Sequence, residues 1–245
     1  MVMRDRESRT VLLVDGSASI LLYLAMLLQR LEYRVVTARN AEEALQMMED
    51  SLPTIVLTEL SLSSMSGIMF LKRMKDHPRL KDIPVVILAS EIDPGMQEAC
   101  SRMGCAAYLV KPVEPSVLFR TIQSISESIP REHIRLSTSL KVVVGDGSPI
   151  GGSRRTEYAT ALSEGGLYVR TLYPQPRNTL TPVQFFLKDR DIVAKAVVLY
   201  SCNLGEGPFK EPGMGMKFVE ISDSCREVIK EFIKEQLVSD LALPG

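Results

Sequence analysis

P-R-E-H-I-R-L, residues 130–136, divides the chain. It sets Arg131 and Arg135 four positions apart at the end of a charged connector. Further on comes A-L-S-E-G-G-L-Y-V, residues 161–169, in which Ser163, Gly165 and Gly166 fall between strand-like runs. A guanidinium is a planar fork that meets a phosphate, or the O6/N7 edge of guanine, with two bonds at once, and it also stacks on a base. A glycine-rich turn lets backbone amides come close to phosphate oxygens. Two such arginines followed by such a turn read as a clamp for an anion or a purine.

Working back from residue 130, the sequence alternates apolar runs with amphipathic segments. Val11 to Asp15 is a short apolar run ending in an acid, the mark of a buried parallel strand. Ser17 is placed to cap a helix whose apolar residues run from Ile20 to Leu31. Strands are expected at 34–37, 54–58, 84–89 and 106–110. Helices are expected after Asn40, across 71–75, and at 94–103 and 114–126. Five β–α repeats predict an α/β doubly wound five-stranded parallel sheet over residues 1–129. Ligand chemistry in such sheets gathers at the carboxyl ends of the strands, which here carry Asp15, Glu59, Ala89 and Lys111.

Beyond residue 130 the helical periodicity gives way to short strand-like runs at 139–144, 156–162, 167–172, 183–187, 192–200 and 215–220. Turn residues separate them at 145–147, 164–166, 188–190 and 204–207. This pattern predicts a six-stranded antiparallel β-barrel over residues 130–245. Val228 to Leu237 is amphipathic and is expected to cover the barrel as a C-terminal helix. Residues 127–132, with Pro130, form a short linker expected to hold the two domains near each other.

A formal net charge of -1 gives no field for bulk nucleic-acid or membrane binding, so no DNA partner is expected. Cys100, Cys105, Cys202 and Cys225 lack metal-ligand spacing, which fits reduced thiols, a cytoplasmic location and no metal or other cofactor. The polar start has no signal-peptide character, and the longest apolar run, 20–28, is too short for membrane insertion. No Ser/His/Asp set, metal cluster or phosphate-binding loop points to an enzyme.

The two arginines and the Ser163–Gly166 turn resemble the R-x-x-x-R … [D/N]-x-S-x-x-G signature of PilZ domains, over roughly residues 130–236. The G-M-G-M-K-F-V run at 213–219 is also similar to that family. The resemblance implies binding of cyclic di-GMP through Arg131, Arg135, Ser163, Gly165 and Gly166. The Asp/Asn position of the signature is Ala161, which offers no acceptor to guanine N1–H and N2–H. Arg154 and Arg155 are expected to compensate in part with phosphate contacts. The alternative is an adaptor that has lost nucleotide binding and relays protein contacts, as some members do in motility or pilus assembly.

The spans V-L-L-V-D-G, I-V-L-T-E-L-S-L-S-S-M-S-G, P-V-V-I-L-A-S and A-A-Y-L-V-K-P resemble the four motifs of response-regulator receiver domains over residues 10–128. Phosphoryl transfer there needs an aspartate and a Mg²⁺ held by acids. In this chain Asp15 is followed by Gly16, the phosphoacceptor position holds Glu59, and the hydroxyl switch position holds Ala89, with Ser90 one residue late. Lys111 is kept, and Tyr108 stands at the aromatic position before it. The resemblance therefore implies a degenerate receiver, or pseudo-receiver, that is not phosphorylated. Asp15, Glu59 and Lys111 then either form a buried ionic cluster that ties strand ends together, or imitate the phosphorylated state through Glu59 and Lys111. Such a domain serves as a platform for an unidentified protein partner or for a homodimer.

Overall fold

A computed structural model describes residues 9–127, 132–148, 151–206 and 211–239. The described residues fall into two compact units, one before and one after the 128–131 connector. That connector, Gly207 of the 204–207 turn, and Arg131 lie outside the described residues.

The first unit is the five-stranded parallel sheet in the order β2-β1-β3-β4-β5. Its strands are β1 (Thr10–Val14), β2 (Arg34–Ala38), β3 (Ile55–Glu59), β4 (Val85–Ala89) and β5 (Ala107–Val110). The helices between and after them are α1 (Ala18–Arg30), α2 (Ala41–Asp50), α3 (Gly67–Asp76), α4 (Pro94–Arg102) and α5 (Pro115–Ser126). Strands covered on both faces need apolar residues at consecutive positions, and β4 is buried at all five. Leu12, Val14, Val56, Phe70, Leu71, Met74, Val85 and Ile87 form the core between the sheet and one helical layer. Polar side chains begin four of the helices. Ser17, Asn40, Ser66 and Asp93 each accept a hydrogen bond from a first-turn amide. Arg9 and Glu127 pair across the two ends of the unit.

The second unit is a closed antiparallel barrel in the order β10-β11-β8-β7-β6-β9. Its strands are β6 (Leu136–Val144), β7 (Arg155–Ser163), β8 (Gly166–Arg170), β9 (Leu180–Leu187), β10 (Arg190–Cys202) and β11 (Gly213–Ile221). Closure leaves no strand edge unpaired. Inward residues alternate along β10, where Ile192, Ala194, Ala196 and Val198 are buried. The β9–β10 hairpin turns on Lys188 and Asp189, both in the left-handed region (φ 49° and 58°), as a two-residue turn of matching twist requires. α6 (Asp223–Val238), capped by Ser222, buries Val228, Ile229, Ile233 and Leu237 and packs on β6, β7 and β9.

Several elements differ from their expected bounds, among them β9, which starts at Leu180, three residues early. β6 starts at Leu136, three residues early, and its pairing with β7 is irregular between Ser137 and Leu140. Its polar S-T-S stretch hides the strand signal. β10 continues to Cys202. α6 starts five residues before Val228, because Ser222 and Asp223 supply a polar first turn that carries no apolar periodicity. Among the described residues no helix is long and apolar enough to cross a membrane.

Candidate functional site

At the carboxyl end of the sheet, neighbouring strands β1 and β3 deliver Asp15 and Glu59, and the segment after β5 delivers Lys111. Lys111 Nζ lies 2.6 Å from Asp15 Oδ2 and 2.9 Å from Glu59 Oε1. The side chains are 14%, 2% and 16% exposed for Lys111, Asp15 and Glu59, so one ammonium is shared by two largely desolvated carboxylates. The other Asp15 oxygen accepts from the Ser17 amide at 2.8 Å. Two of the three ammonium donors are thus already committed to these carboxylates.

Gly67, at the start of α3, holds the corner from behind. A Cβ there would run into the carbonyl oxygen of Glu59, so only glycine lets α3 begin this close to the end of β3. Gly16 has no such reason, since a Cβ at that position meets nothing within 4 Å. Packing therefore does not require glycine at 16, and glycine brings no acid to this corner. Ala89 is 1% exposed and offers no hydroxyl, while Ser90 is exposed. Among the described residues no group of three or more His, Cys, Asp or Glu is placed to hold a metal ion. Asp15 and Glu59, both occupied by Lys111, do not fit the acid-rich Mg²⁺ site that phosphoryl transfer needs. Tyr108 is partly buried, its hydroxyl has no partner among the described residues, and burial pushes its pKa up.

The second candidate lies at one end of the barrel. Arg135 is half-buried just before β6 and pairs with no acid among the described residues. Ser163 closes β7 and donates to the carbonyl oxygen of Gly166 at 3.0 Å. Gly165 accepts from the Phe218 amide at 2.9 Å, and a Cβ at Gly166 would run into the carbonyl oxygen of Met216. Gly166 therefore has a packing role against β11. His133 lies against Gly165, so closely that a Cβ at 165 would strike its ring. Its ring nitrogens stand 3.8 Å from Glu132 and 4.0 Å from Glu164. Arg226 of α6 donates to the Glu164 carbonyl at 2.8 Å. Sequence reasoning singled out neither the His133 contact nor Arg226, because both are tertiary contacts with no local pattern. Ala161 is buried opposite Ser137 and Tyr168.

The structure brings Asp15, Glu59 and Lys111 together, and it brings the segment carrying His133 and Arg135 against the Ser163–Gly166 turn. Arg131 falls outside the described residues. The expected help from Arg154 and Arg155 is not there. Arg155 and Ser163 are the two ends of β7, eight residues apart, which is about 26 Å in an extended strand.

Comparison with known proteins gives the first unit relatives. The family described as "Response regulator receiver domain" matches residues 11–123. The two-component response regulator ORR6 of Oryza sativa subsp. japonica is 36% identical over 118 residues, 47% of this chain and 69% of the relative. The two-component response regulator ORR3 of Oryza sativa subsp. indica is 35% identical over 111 residues, 45% of this chain and 85% of the relative. Among solved structures, the chemotaxis protein CheY4 of Vibrio cholerae is 29% identical and covers 47% of this chain and 97% of its own, with a TM-score of 0.46. The matched span ends before the barrel begins at Leu136. Through residues 11–123 the chain belongs to the response regulator receiver domain family, and its role is in signalling.

Proposed function

We propose that the chain is a non-enzymatic cytoplasmic effector: its barrel binds cyclic di-GMP, and its receiver domain works without phosphorylation as a docking or dimerising platform. The observation that carries the ligand half is the packing of His133 on Gly165. It draws the arginine segment onto the Ser163–Gly166 turn, although some thirty positions of sequence separate them. Arg131 and Arg135 then grip guanine and phosphate, and the turn presents Ser163 and the amides of Gly165 and Gly166. The observation that supports the receiver half is the sharing of Lys111 between Asp15 and Glu59.

Calorimetric titration of the full chain with cyclic di-GMP tests the clamp. Saturable binding is expected, weakened about ten- to hundred-fold by the missing acceptor at 161. Arg135→Ala weakens it by a further factor of more than about ten, since a bidentate arginine–guanine contact is worth roughly 1–3 kcal/mol. Ala161→Asp strengthens it. Absence of binding in the wild-type chain, with none created by Ala161→Asp, makes the clamp vestigial.

That outcome would favour the second reading, an adaptor that relays protein contacts and binds no nucleotide. One observation speaks for it: the buried Ala161, 5% exposed, offers no acceptor to a base.

A further inference from the structure

The end of the barrel opposite the Ser163–Gly166 turn opens into a cleft of about 300 Å³. Small barrels fill their interior with apolar side chains. Here the inward row of β7 starts that way at Ala159, next to the irregularity between Ala159 and Ala161, and then changes to Glu157, paired with the buried Val142, and Arg155 at the rim. Residues two apart on a strand face the same side, so both charges line the cleft. No ion pair joins them. Glu157 accepts from the Thr171 hydroxyl at 2.8 Å, and the Arg155 guanidinium lies 4.2 Å from the centre of the Tyr173 ring. A carboxylate with spare acceptor capacity, a guanidinium fork and an aromatic face are thus held around one opening.

Gln175 adds an independent sign. The Thr181 hydroxyl donates to Gly151 O at 2.6 Å, so towards Gln175 it can only accept, and the Gln175 amide nitrogen faces it at 3.4 Å. That choice leaves the Gln175 amide oxygen buried at the cleft wall without a hydrogen-bond partner among the described residues. Buried acceptors are nearly always paired, and an unpaired one beside a cleft marks where a donor is missing.

We propose that this mouth is a second ligand site, and that it takes a guanine-type base. Such a base presents its O6/N7 edge to an arginine fork and its N1–H and N2–H to a carboxylate, while its plane stacks on an aromatic or guanidinium face. Arg155 and Glu157 supply the two edges, Tyr173 the stacking partner, and Met214 an apolar wall. Adenine offers an N–H where guanine has a carbonyl, and has no N1–H for Glu157, so it is rejected. A volume at the lower end for ligand pockets suits a single nucleoside. The site does not rest on the clamp, which lies at the other end of β7.

The test is titration of the full chain with guanosine and, separately, adenosine at one salt concentration. Saturable guanosine binding is expected, with adenosine weaker by more than about tenfold. Glu157→Gln keeps the acceptor for Thr171 but loses the charge, and weakens guanosine binding by about tenfold or more. Arg155→Ala does the same, and circular dichroism shows both variants folded. Lys141→Ala, which removes an exposed charge outside both sites, leaves guanosine affinity unchanged. No guanosine binding, equal binding of adenosine, or binding that Arg135→Ala abolishes while Arg155→Ala leaves it intact overturns the proposal.

Discussion

Lys111→Ala lowers the melting temperature of the receiver unit by more than about 10 °C. The substitution strands two carboxylates that now share one ammonium, and Asp15 is 2% exposed. Removing one partner of a buried pair costs about 3–5 kcal/mol, whereas an exposed pair is worth about 0–1. For a domain of this size each kcal/mol moves the transition by roughly 3–6 °C. Replacing all three charges together, as Asp15→Asn, Glu59→Gln and Lys111→Met, restores most of the loss, because no charge is then left unpaired. Thermal denaturation of the two variants beside the wild type decides it. An unchanged transition in Lys111→Ala means that the cluster is solvated and carries no stability.

Gly166→Ala destabilises the barrel by about 3 kcal/mol, the upper end for an added methyl in a tightly packed place. The added carbon meets the Met216 carbonyl, which is backbone of the neighbouring strand and cannot swing aside as a side chain would. The result bears on how the signature is read. A glycine that β11 requires for packing is needed whether or not a nucleotide binds, so its presence alone says little about the ligand. Urea denaturation followed by circular dichroism measures the effect. A loss under about 0.5 kcal/mol, the range of an ordinary surface change, would show that the strands part easily.

The parallel sheet was legible in the sequence because its strands are buried on both faces. Runs such as Val11–Val14 and Val85–Ala89 need no partner to be recognised. The capping residues Ser17 and Asn40 mark helix starts for the same local reason. The barrel was legible as a count of strands, but its ends were not. The Ser137–Ser139 stretch carries no apolar alternation, and its place in β6 is fixed by β7 across an irregular pairing. Of the clustered side chains, Asp15, Glu59 and Lys111 were readable because parallel topology puts successive strand ends on one edge. The cleft at the far mouth was hidden by the same logic in reverse. Arg155 and Glu157 look like solvated strand residues until their pairing with the buried Val144 and Val142 fixes which side of β7 faces inward, and Tyr173 and Gln175 come from a separate loop.

Signalling by the receiver unit without phosphoryl transfer, as proposed above, is tested most directly at its ionic corner. The full chain is incubated with acetyl phosphate and Mg²⁺ and its intact mass is recorded, with beryllofluoride binding followed in parallel. Glu59, tied to Lys111, lacks the aspartate geometry, the second acid at 16 and the hydroxyl at 89 that a bound phosphoryl group needs. The predicted result is an unmodified mass and no Mg²⁺-dependent beryllofluoride binding. Stoichiometric, Mg²⁺-dependent modification would contradict it.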